Sequence, residues 1–404
     1  MSLRPLEPSL VPPEEIAPRI ALLQQRLQSL DLDAALILQN ADLYYFTGTV
    51  QDGVLLVPAE APPLFFVRRS VSRAQEEARL AEVIPYRVYH EIPRLAEERG
   101  WRRLNRLGLE LDVLPVALFQ RLQKAFPAAE MADLSMEIRL LRSRKSPWEV
   151  GAIRAAATIS ARMVARAATA AREGMSEVEL AAEVEAEARR AGHQGLVRFR
   201  RFNQESFYGH LLAGPHSAVP AFLDSPTGGR GPYPAVGHGA SFRAIRCGEP
   251  ILFDLVGACH GYYADMTRTL VLGEPPADVL RAYAAVRTIW EVARNALRPG
   301  VPAGAVFAAA TAAAGDLGYA EAFMRSGEGR LGYVGHGIGL EIDEIPSLAR
   351  GFETPLEEGM VLAVEPKLSL AEIGVIGLED TFLVTAGGAE ALTEVSRDLT
   401  VLHP

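Results

Sequence analysis

Residues 250–268 read PILFDLVGACHGYYADMTR, in which two apolar stretches each contain a single aspartate. The large apolar residues predict two strands, and Gly261 marks the turn between them. An antiparallel hairpin would bring Asp254 and Asp265 onto neighbouring strands, close enough to share a cation. An ionised carboxylate inside an apolar strand is costly to bury unless it is paired or metal-bound. We therefore favour metal ligands over acids that lie at a turn or a sheet edge.

Three further apolar stretches each contain one potential ligand. They are His336 in YVGHGIGL, Glu365 in VLAVEP and Glu379 in VIGLED. Taken singly, a His among glycines is more often structural, and either Glu could be a solvated acid at a strand end. Strand alternation places Asp380, the competitor for the last position, on the face opposite Glu379. The ligand interpretation depends on all five residues occurring together.

Four carboxylates and one imidazole could hold two divalent cations side by side, an arrangement used for metal-assisted hydrolysis. Glu365 could both bind metal and take a proton from the attacking water. Manganese, cobalt and zinc all suit an oxygen-rich site with one imidazole. The sequence therefore predicts a hydrolytic centre with two divalent metal ions.

Composition restricts the function classes. A chain of 404 residues can bury a large core and form two domains. Its net charge of −9 argues against a nucleic-acid partner, because no basic face is available to neutralise phosphates. Two cysteines give neither a disulfide framework nor a zinc signature. The Pro-rich lead lacks a secretory signal and no long apolar run is present, so we expect no membrane span and a cytoplasmic location.

The sequence pattern changes near residue 145. Helical periodicity over residues 14–30 is followed by predicted strands at 34–38, 54–57 and 64–67, which suggests a small α/β domain. Ala- and Arg-rich helical sequence follows, in which Ser146 could cap a helix that begins at Pro147. We therefore predict domains at residues 1–145 and 146–404.

The Asp-Asp-His-Glu-Glu order of the five residues resembles that of the "pita-bread" metallopeptidases. These include Xaa-Pro aminopeptidases, prolidases and methionine aminopeptidases, with creatinase as a metal-free relative. The stretch NADLYYFTG at residues 40–48 is similar to the creatinase-type N-terminal domain, and the junction RSRKS at residues 142–146 also resembles the family. The resemblance covers essentially the whole chain. It implies an α/β (α+β) two-domain fold in which a curved antiparallel sheet surrounds the dimetal site, and we expect a homodimer.

The chain departs from this family just after the Gly-rich stretch at residues 335–339, which contains His336. A second His normally lies there and contacts the substrate or the tetrahedral intermediate, whereas Asp343 occupies the position here. An ionised Asp accepts hydrogen bonds but cannot donate them, and would repel a developing oxyanion. Asp343 could instead bind the free amino group of the substrate, be kept protonated by neighbouring carboxylates, or be a solvated loop acid.

A second departure precedes the first ligand. The family carries a Pro-His pair whose His helps to position substrate, but here Ala221 follows Pro220. The segment 222–237 is typical of an inserted loop at the mouth of a site. His238 directly after it is our candidate for the positioning role, with a plain loop His as the alternative. His216 is the second candidate.

The leading hypothesis is a dimetal exopeptidase that cleaves the N-terminal bond of short peptides, with proline after the scissile bond as the resemblance implies. One alternative is a creatinase-like, metal-free hydrolase of a C–N bond in a small molecule. Another is a non-catalytic pita-bread binding module. The complete ligand set argues against both alternatives, because neither needs it.

Overall fold

The computed structural model of the chain describes residues 10–80, 82–101 and 104–403. The predicted absence of a signal in the Pro-rich lead concerns mainly residues 1–9, which lie outside the described residues. The chain forms two compact units. We call Pro8–Arg142 with Arg200–Asn203 the N-terminal unit, and Ser143–Phe199 with Gln204–Pro404 the C-terminal unit. The two-domain, mixed α/β class predicted from the sequence is confirmed.

The N-terminal unit contains a six-stranded mixed sheet with helices. The helices are α1 (Pro13–Ser29), α2 (Asn40–Thr47), α3 (Val71–Glu77), α4 (Glu91–Glu97), α5 (Val116–Ala125) and α6 (Ser135–Ser143). The strands are β1 (Ala34–Ile37), β2 (Gly53–Pro58), β3 (Leu64–Val67), β4 (Val83–Pro85), β5 (Arg106–Leu109) and β6 (Glu130–Asp133), in the sheet order β4-β3-β2-β1-β5-β6. The predicted helix over residues 14–30 corresponds to α1, and the three predicted strands correspond to β1, β2 and β3. Leu30, the last residue of the predicted helix, is exposed and follows the end of α1.

The C-terminal unit begins with paired helices and then alternates strands with helices. Its helices are α7 (Pro147–Ala170), α8 (Glu177–Arg190), α9 (Ala277–Ala296) and α10 (Ala303–Asp316), with a 3₁₀ turn at Gly214–Ala218. Its first strands are β7 (Gly209–Ala213), β8 (Pro250–Cys259), β9 (Tyr262–Leu272), β10 (Arg325–Ser326), β11 (Gly329–Arg330), β12 (Tyr333–Gly337) and β13 (Glu344–Ala349). The remaining strands are β14 (Val361–Val364), β15 (Lys367–Leu370), β16 (Gly374–Gly377), β17 (Asp380–Thr385), β18 (Gly388–Ala391) and β19 (Thr400–Leu402).

The mainly antiparallel strands of this unit are divided between two larger sheets and two hairpins. They form a four-stranded sheet in the order β19-β9-β8-β7, a five-stranded sheet in the order β13-β12-β14-β17-β18, and two hairpins. In addition, β19 pairs with β9 in parallel. Pro366 helps to explain the division, because it has no N–H for a sheet ladder and separates β14 from β15. Glu365 and Glu379 lie at such interruptions, between β14 and β15 and between β16 and β17.

The predicted hairpin is confirmed as β8 and β9, which pair over their full lengths. Its two-residue turn consists of His260 and Gly261, whose φ angles of 50° and 84° are both positive. Positive φ at both positions is typical of a type I′ turn, whose twist suits two antiparallel strands. Gly257 in β8 allows α7 to pack closely, because a Cβ there would lie 2.1 Å from the carbonyl oxygen of Ala156. The hairpin is therefore buried and packs closely against α7.

Ser146 caps α7 as predicted, with Pro147 in its first turn. The side-chain oxygen of Ser146 accepts a hydrogen bond from the backbone N–H of Glu149, and the carboxylate of Glu149 accepts one from the backbone N–H of Ser146. This capping box satisfies donors that a helix N-terminus otherwise leaves free. Among the described residues, no helix is long and apolar enough to cross a bilayer.

Candidate metal centre

The five predicted ligands come from both larger sheets of the C-terminal unit. On the hairpin, Asp254 pairs with Thr267 and Asp265 pairs with Val256, so the two aspartates lie on the same face, offset by two residues along the strands. The structure brings Asp265, His336 and Glu379 together, with one potential ligand atom from each within 4.8 Å of the others. These three residues form what we call the ligand triad.

Two threonines fix the acidic members of the triad. The hydroxyl of Thr381 accepts a hydrogen bond from the backbone N–H of Asp265 at 2.9 Å and donates one to its carbonyl at 2.9 Å. The hydroxyl of Thr267 donates to Oε2 of Glu379 at 2.7 Å. Thr381 on β17 thus fixes the backbone of Asp265 on β9, and Thr267 on β9 fixes the carboxylate of Glu379.

The electrostatics of the triad favour a bound cation. Burial raises the pKa of Glu379 to about 7, with help from the carboxylates of Glu365 and Asp254 and against the effect of Lys367. Burial and the negative charge of Glu379 likewise raise the pKa of Asp265 well above its usual range. Oε1 of Glu379 is buried and accepts no hydrogen bond from the described residues. An acceptor without a partner among crowded carboxylates fits a divalent cation well.

His336 is oriented as a metal ligand should be. Its Nδ1 lies 3.0 Å from the carbonyl oxygen of Gly337, and its Nε2 lies 3.5 Å from Oε1 of Glu365. A hydrogen bond from Nδ1–H to a backbone carbonyl leaves Nε2 as the free lone pair, which is a common way to fix a ligating imidazole. Although burial lowers the pKa of His336, the charges of Asp343 and Glu365 raise it overall.

Lys367 is a component of the site that the sequence analysis missed. Its Nζ lies 3.0 Å from Oδ2 of Asp254, 2.6 Å from Oε2 of Glu365 and 3.5 Å from Oε2 of Glu379. Its side chain is only 1% exposed. Asp254 and Glu365, both predicted as metal ligands, therefore surround an ammonium group. The sequence gives only a weak signal for this, because Lys367 follows Glu365 by two residues but Pro366 interrupts the strand between them.

The triad lies beside a cavity of about 110 Å³. Asp265 and His336 of the triad line it, together with residues of neighbouring strands and loops. Among the described residues that line it are five carboxylates and no lysine or arginine: Asp224, Asp254, Asp265, Asp343 and Glu365. Leu223, Asp224 and Ser225 belong to the segment predicted as an inserted loop, which thus contributes to the cavity wall. The side chain of Asp343 is 43% exposed, and its Oδ1 lies 3.7 Å from Nδ1 of His336.

His238, the predicted positioning residue, contacts a second imidazole that lines the cavity, that of His210. Its Nδ1 lies 2.9 Å from Nε2 of His210, and Nδ1 of His210 lies 2.9 Å from the hydroxyl of Thr227. His210 lines the cavity and pairs with Asp254 across β7 and β8. Burial lowers the pKa of His210 to about 4 despite the charge of Asp254, so its imidazole is neutral at neutral pH. His210 was not among the site residues predicted from the sequence, although it lies in the strand that pairs with that of Asp254.

The other two candidates have structural partners. Nδ1 of His216 lies 2.9 Å from a carboxylate oxygen of Glu177, and its Nε2 accepts a hydrogen bond from the backbone of Arg230. His216 thus holds loops together and does not line the cavity. Asp380 is completely buried and binds Arg268 at 2.8 Å and Arg397 at 2.7 Å, away from the triad.

A mixed α/β two-domain fold with an imidazole and carboxylates gathered beside a cavity defines a class of metal-dependent hydrolases. The chain belongs to metallopeptidase family M24, whose family model matches residues 151–386. Residues 19–144 match the creatinase/prolidase N-terminal domain.

Individual relatives agree with this assignment. The Xaa-Pro dipeptidase of Pyrococcus horikoshii is 29% identical over 371 residues, which are 91% of this chain and 94% of that protein. An Xaa-Pro dipeptidase structure from Bacillus anthracis matches with a TM-score of 0.81 at 27% identity and covers 95% of this chain and 99% of its own. An X-Pro aminopeptidase structure from Thermotoga maritima matches with a TM-score of 0.78 at 25% identity, with the same coverage. The resemblance inferred from the sequence is confirmed.

Proposed function

We propose that the protein is a metal-dependent exopeptidase that hydrolyses the N-terminal peptide bond of short peptides with proline after that bond. The observation that carries the proposal is the convergence of Asp265, His336 and Glu379 beside the cavity. The names of the relatives, Xaa-Pro dipeptidase and X-Pro aminopeptidase, support the choice of substrate.

The residues of the triad fit a divalent cation, which when bound supplies Lewis acidity and makes water nucleophilic at neutral pH. Glu365 lines the cavity beside His336 and is placed to accept a proton from the attacking water. The same carboxyl group can then donate that proton to the departing amine. Lys367, at 2.6 Å, fixes the other oxygen of Glu365 and so orients the group.

The acidic lining of the cavity suits the positively charged amino group at the start of a peptide. We propose that Asp343, which lines the cavity and is partly exposed, binds this group. The described lining offers no cationic side chain to a substrate carboxylate, so we expect Xaa-Pro-Yaa tripeptides to be better substrates than Xaa-Pro dipeptides. His238 acts in this proposal as a positioning residue, because it orients His210, which faces the cavity.

The test is hydrolysis of a panel of Xaa-Pro dipeptides and Xaa-Pro-Yaa tripeptides before chelation, after chelation and after return of manganese. We expect activity to disappear with the metal and to return with it. Glu365→Gln should lower kcat by about 10²–10⁴-fold, the usual range for a general base, whereas Glu372→Gln, at an exposed position, should leave it unchanged. Activity that survives complete metal removal would contradict the proposal.

Several finer assignments belong to the same proposal. Manganese, cobalt or zinc would suit carboxylate and imidazole ligands, and elemental analysis of the purified protein distinguishes them. We also propose a homodimer and a cytoplasmic location, as expected from the sequence. Sedimentation and cell fractionation test these two assignments.

A further inference from the structure

The ammonium group of Lys367 lies among residues that a two-metal centre would need as ligands. We propose that the centre holds a single divalent cation, at the ligand triad, and that the Lys367 ammonium takes the place of the second. This inference rests on the proposed metal-dependent function but changes its stoichiometry. It also departs from the two ions that the five predicted ligands suggest.

The contacts of Lys367 define its place. Asp254 does not belong to the ligand triad, and Nζ of Lys367 lies 3.0 Å from its Oδ2. Nζ also lies 2.6 Å from Oε2 of Glu365 and 3.5 Å from Oε2 of Glu379. Metal–oxygen bonds are about 2.0–2.2 Å long, so a cation on the same oxygen of Asp254 would lie within about 5 Å of the ammonium nitrogen. A second cation and the ammonium would therefore compete for the same carboxylates.

The ammonium leaves too little negative charge in the predicted ligand set for two divalent cations. The four carboxylates of the predicted set carry four negative charges when ionised, and two divalent cations would neutralise them completely. The ammonium would then be a buried positive charge without a counter-charge, which is strongly unfavourable. With one divalent cation and the ammonium, three of the four negative charges are balanced.

The side chain of Lys367 is built into the fold. Its position on β15 pairs with Gly377 on β16. A Cβ at Gly377 would lie 2.8 Å from Cγ of Lys367, so the glycine leaves room for the lysine stem. The side chain is only 1% exposed, in a protein interior that is close-packed. Displacement of the ammonium by a metal ion would therefore require the strand pair to rearrange.

The metal content of the protein tests this inference directly. The purified chain is saturated with Mn²⁺, freed of excess by dialysis and analysed for bound manganese. We expect one ion per chain in the wild type and two in Lys367→Ala, which removes both the charge and the stem. Lys145→Ala is the matched control, because Lys145 is another buried lysine of this unit, paired with Glu344 at 2.9 Å. That variant should still bind one ion.

The electron paramagnetic resonance spectrum of the Mn²⁺-saturated wild type gives a second measurement that needs no variant. We expect the spectrum of isolated Mn²⁺ ions, and the spin coupling of a close pair would overturn the inference. Two ions in the wild type, or one ion in both the wild type and Lys367→Ala, would also overturn it. A wild type without bound metal would instead contradict the proposed function.

Discussion

Replacement of Glu379 by Gln tests the electrostatic description of the centre without reference to catalysis. In the metal-free protein, Glu379 is a buried carboxyl whose Oε1 accepts no hydrogen bond from the described residues. Its pKa is raised from 4.5 to about 7, mainly by burial. Gln has nearly the same shape and an oxygen that can accept the Thr267 hydroxyl, but it carries no charge at any pH.

The magnitude follows from proton linkage. Between pH 4.5 and about 7 the folded chain keeps a proton on Glu379 that the unfolded chain has released, so this group stabilises the fold fully only at low pH. That contribution is lost as the pH rises through 7. A difference of about 2.5 pKa units corresponds to roughly 3 kcal/mol at most. Metal-free Glu379→Gln should therefore gain up to about 3 kcal/mol relative to the wild type between pH 5 and pH 8.

Urea unfolding of the chelator-treated proteins at pH 5 and pH 8 measures this difference. Groups far from Glu379 titrate equally in both proteins, so the change in their difference reports Glu379 together with the carboxylates that its charge affects, above all Asp265. Glu372→Gln serves as the control at an exposed position and should follow the wild type at both pH values. An unchanged difference between Glu379→Gln and the wild type across this range would refute the reasoning.

Three other predictions concern separate parts of the chain. Burial lowers the pKa of His193 to about 4. Its neutral form therefore stabilises the fold above pH 6.5, and this contribution of up to about 3 kcal/mol disappears as the pH falls to 4. His193→Gln should show a flatter profile of unfolding free energy against pH. Asp343→Asn should raise KM for peptides with a free amino group by about 10–100-fold, since a charged hydrogen bond contributes roughly 1.5–3 kcal/mol. KM for acetylated peptides should change little. Equal effects on both kinds of peptide would contradict the proposed contact between Asp343 and the amino group. Asp42→Asn should cost about 3–5 kcal/mol in urea unfolding, because it removes a fully buried carboxylate that Arg142 and Arg200 share, although Arg200 keeps Asp112. A loss below about 1 kcal/mol would show that the cluster is not a stabilising one.

Local patterns in the sequence predicted the parts of the structure that depend on neighbouring residues. The hairpin around Gly261 and the cap at Ser146 are set by strand alternation and by side-chain hydrogen bonds within a few residues. The prediction that Glu379 and Asp380 lie on opposite faces used only the alternation of side chains along a strand. Such features need no knowledge of distant segments.

Features that depend on distant segments were not predicted. Lys367 occurs in the alternating text EPKLSL, which is typical of a strand with one solvated face. Only the packing of β15 and β16 within the unit shows that this face is buried and that the ammonium meets Asp254 and Glu365. The sequence likewise could not show that His210 stands between His238 and the cavity, because Thr227 and His238 reach it from a long irregular loop.

The path of the chain through Arg200–Asn203 determines how the N-terminal unit could be isolated. This segment belongs to that unit, where Arg200 binds Asp42 at 2.9 Å and Asp112 at 2.6 Å. A fragment cut at residue 145 would lose this arginine, and the buried Asp42 would keep only Arg142 of its two cationic partners. Expression of the unit alone would therefore require a graft of residues 200–203 or a neutral residue at position 42, and a simple truncation should give an unstable, protease-sensitive product.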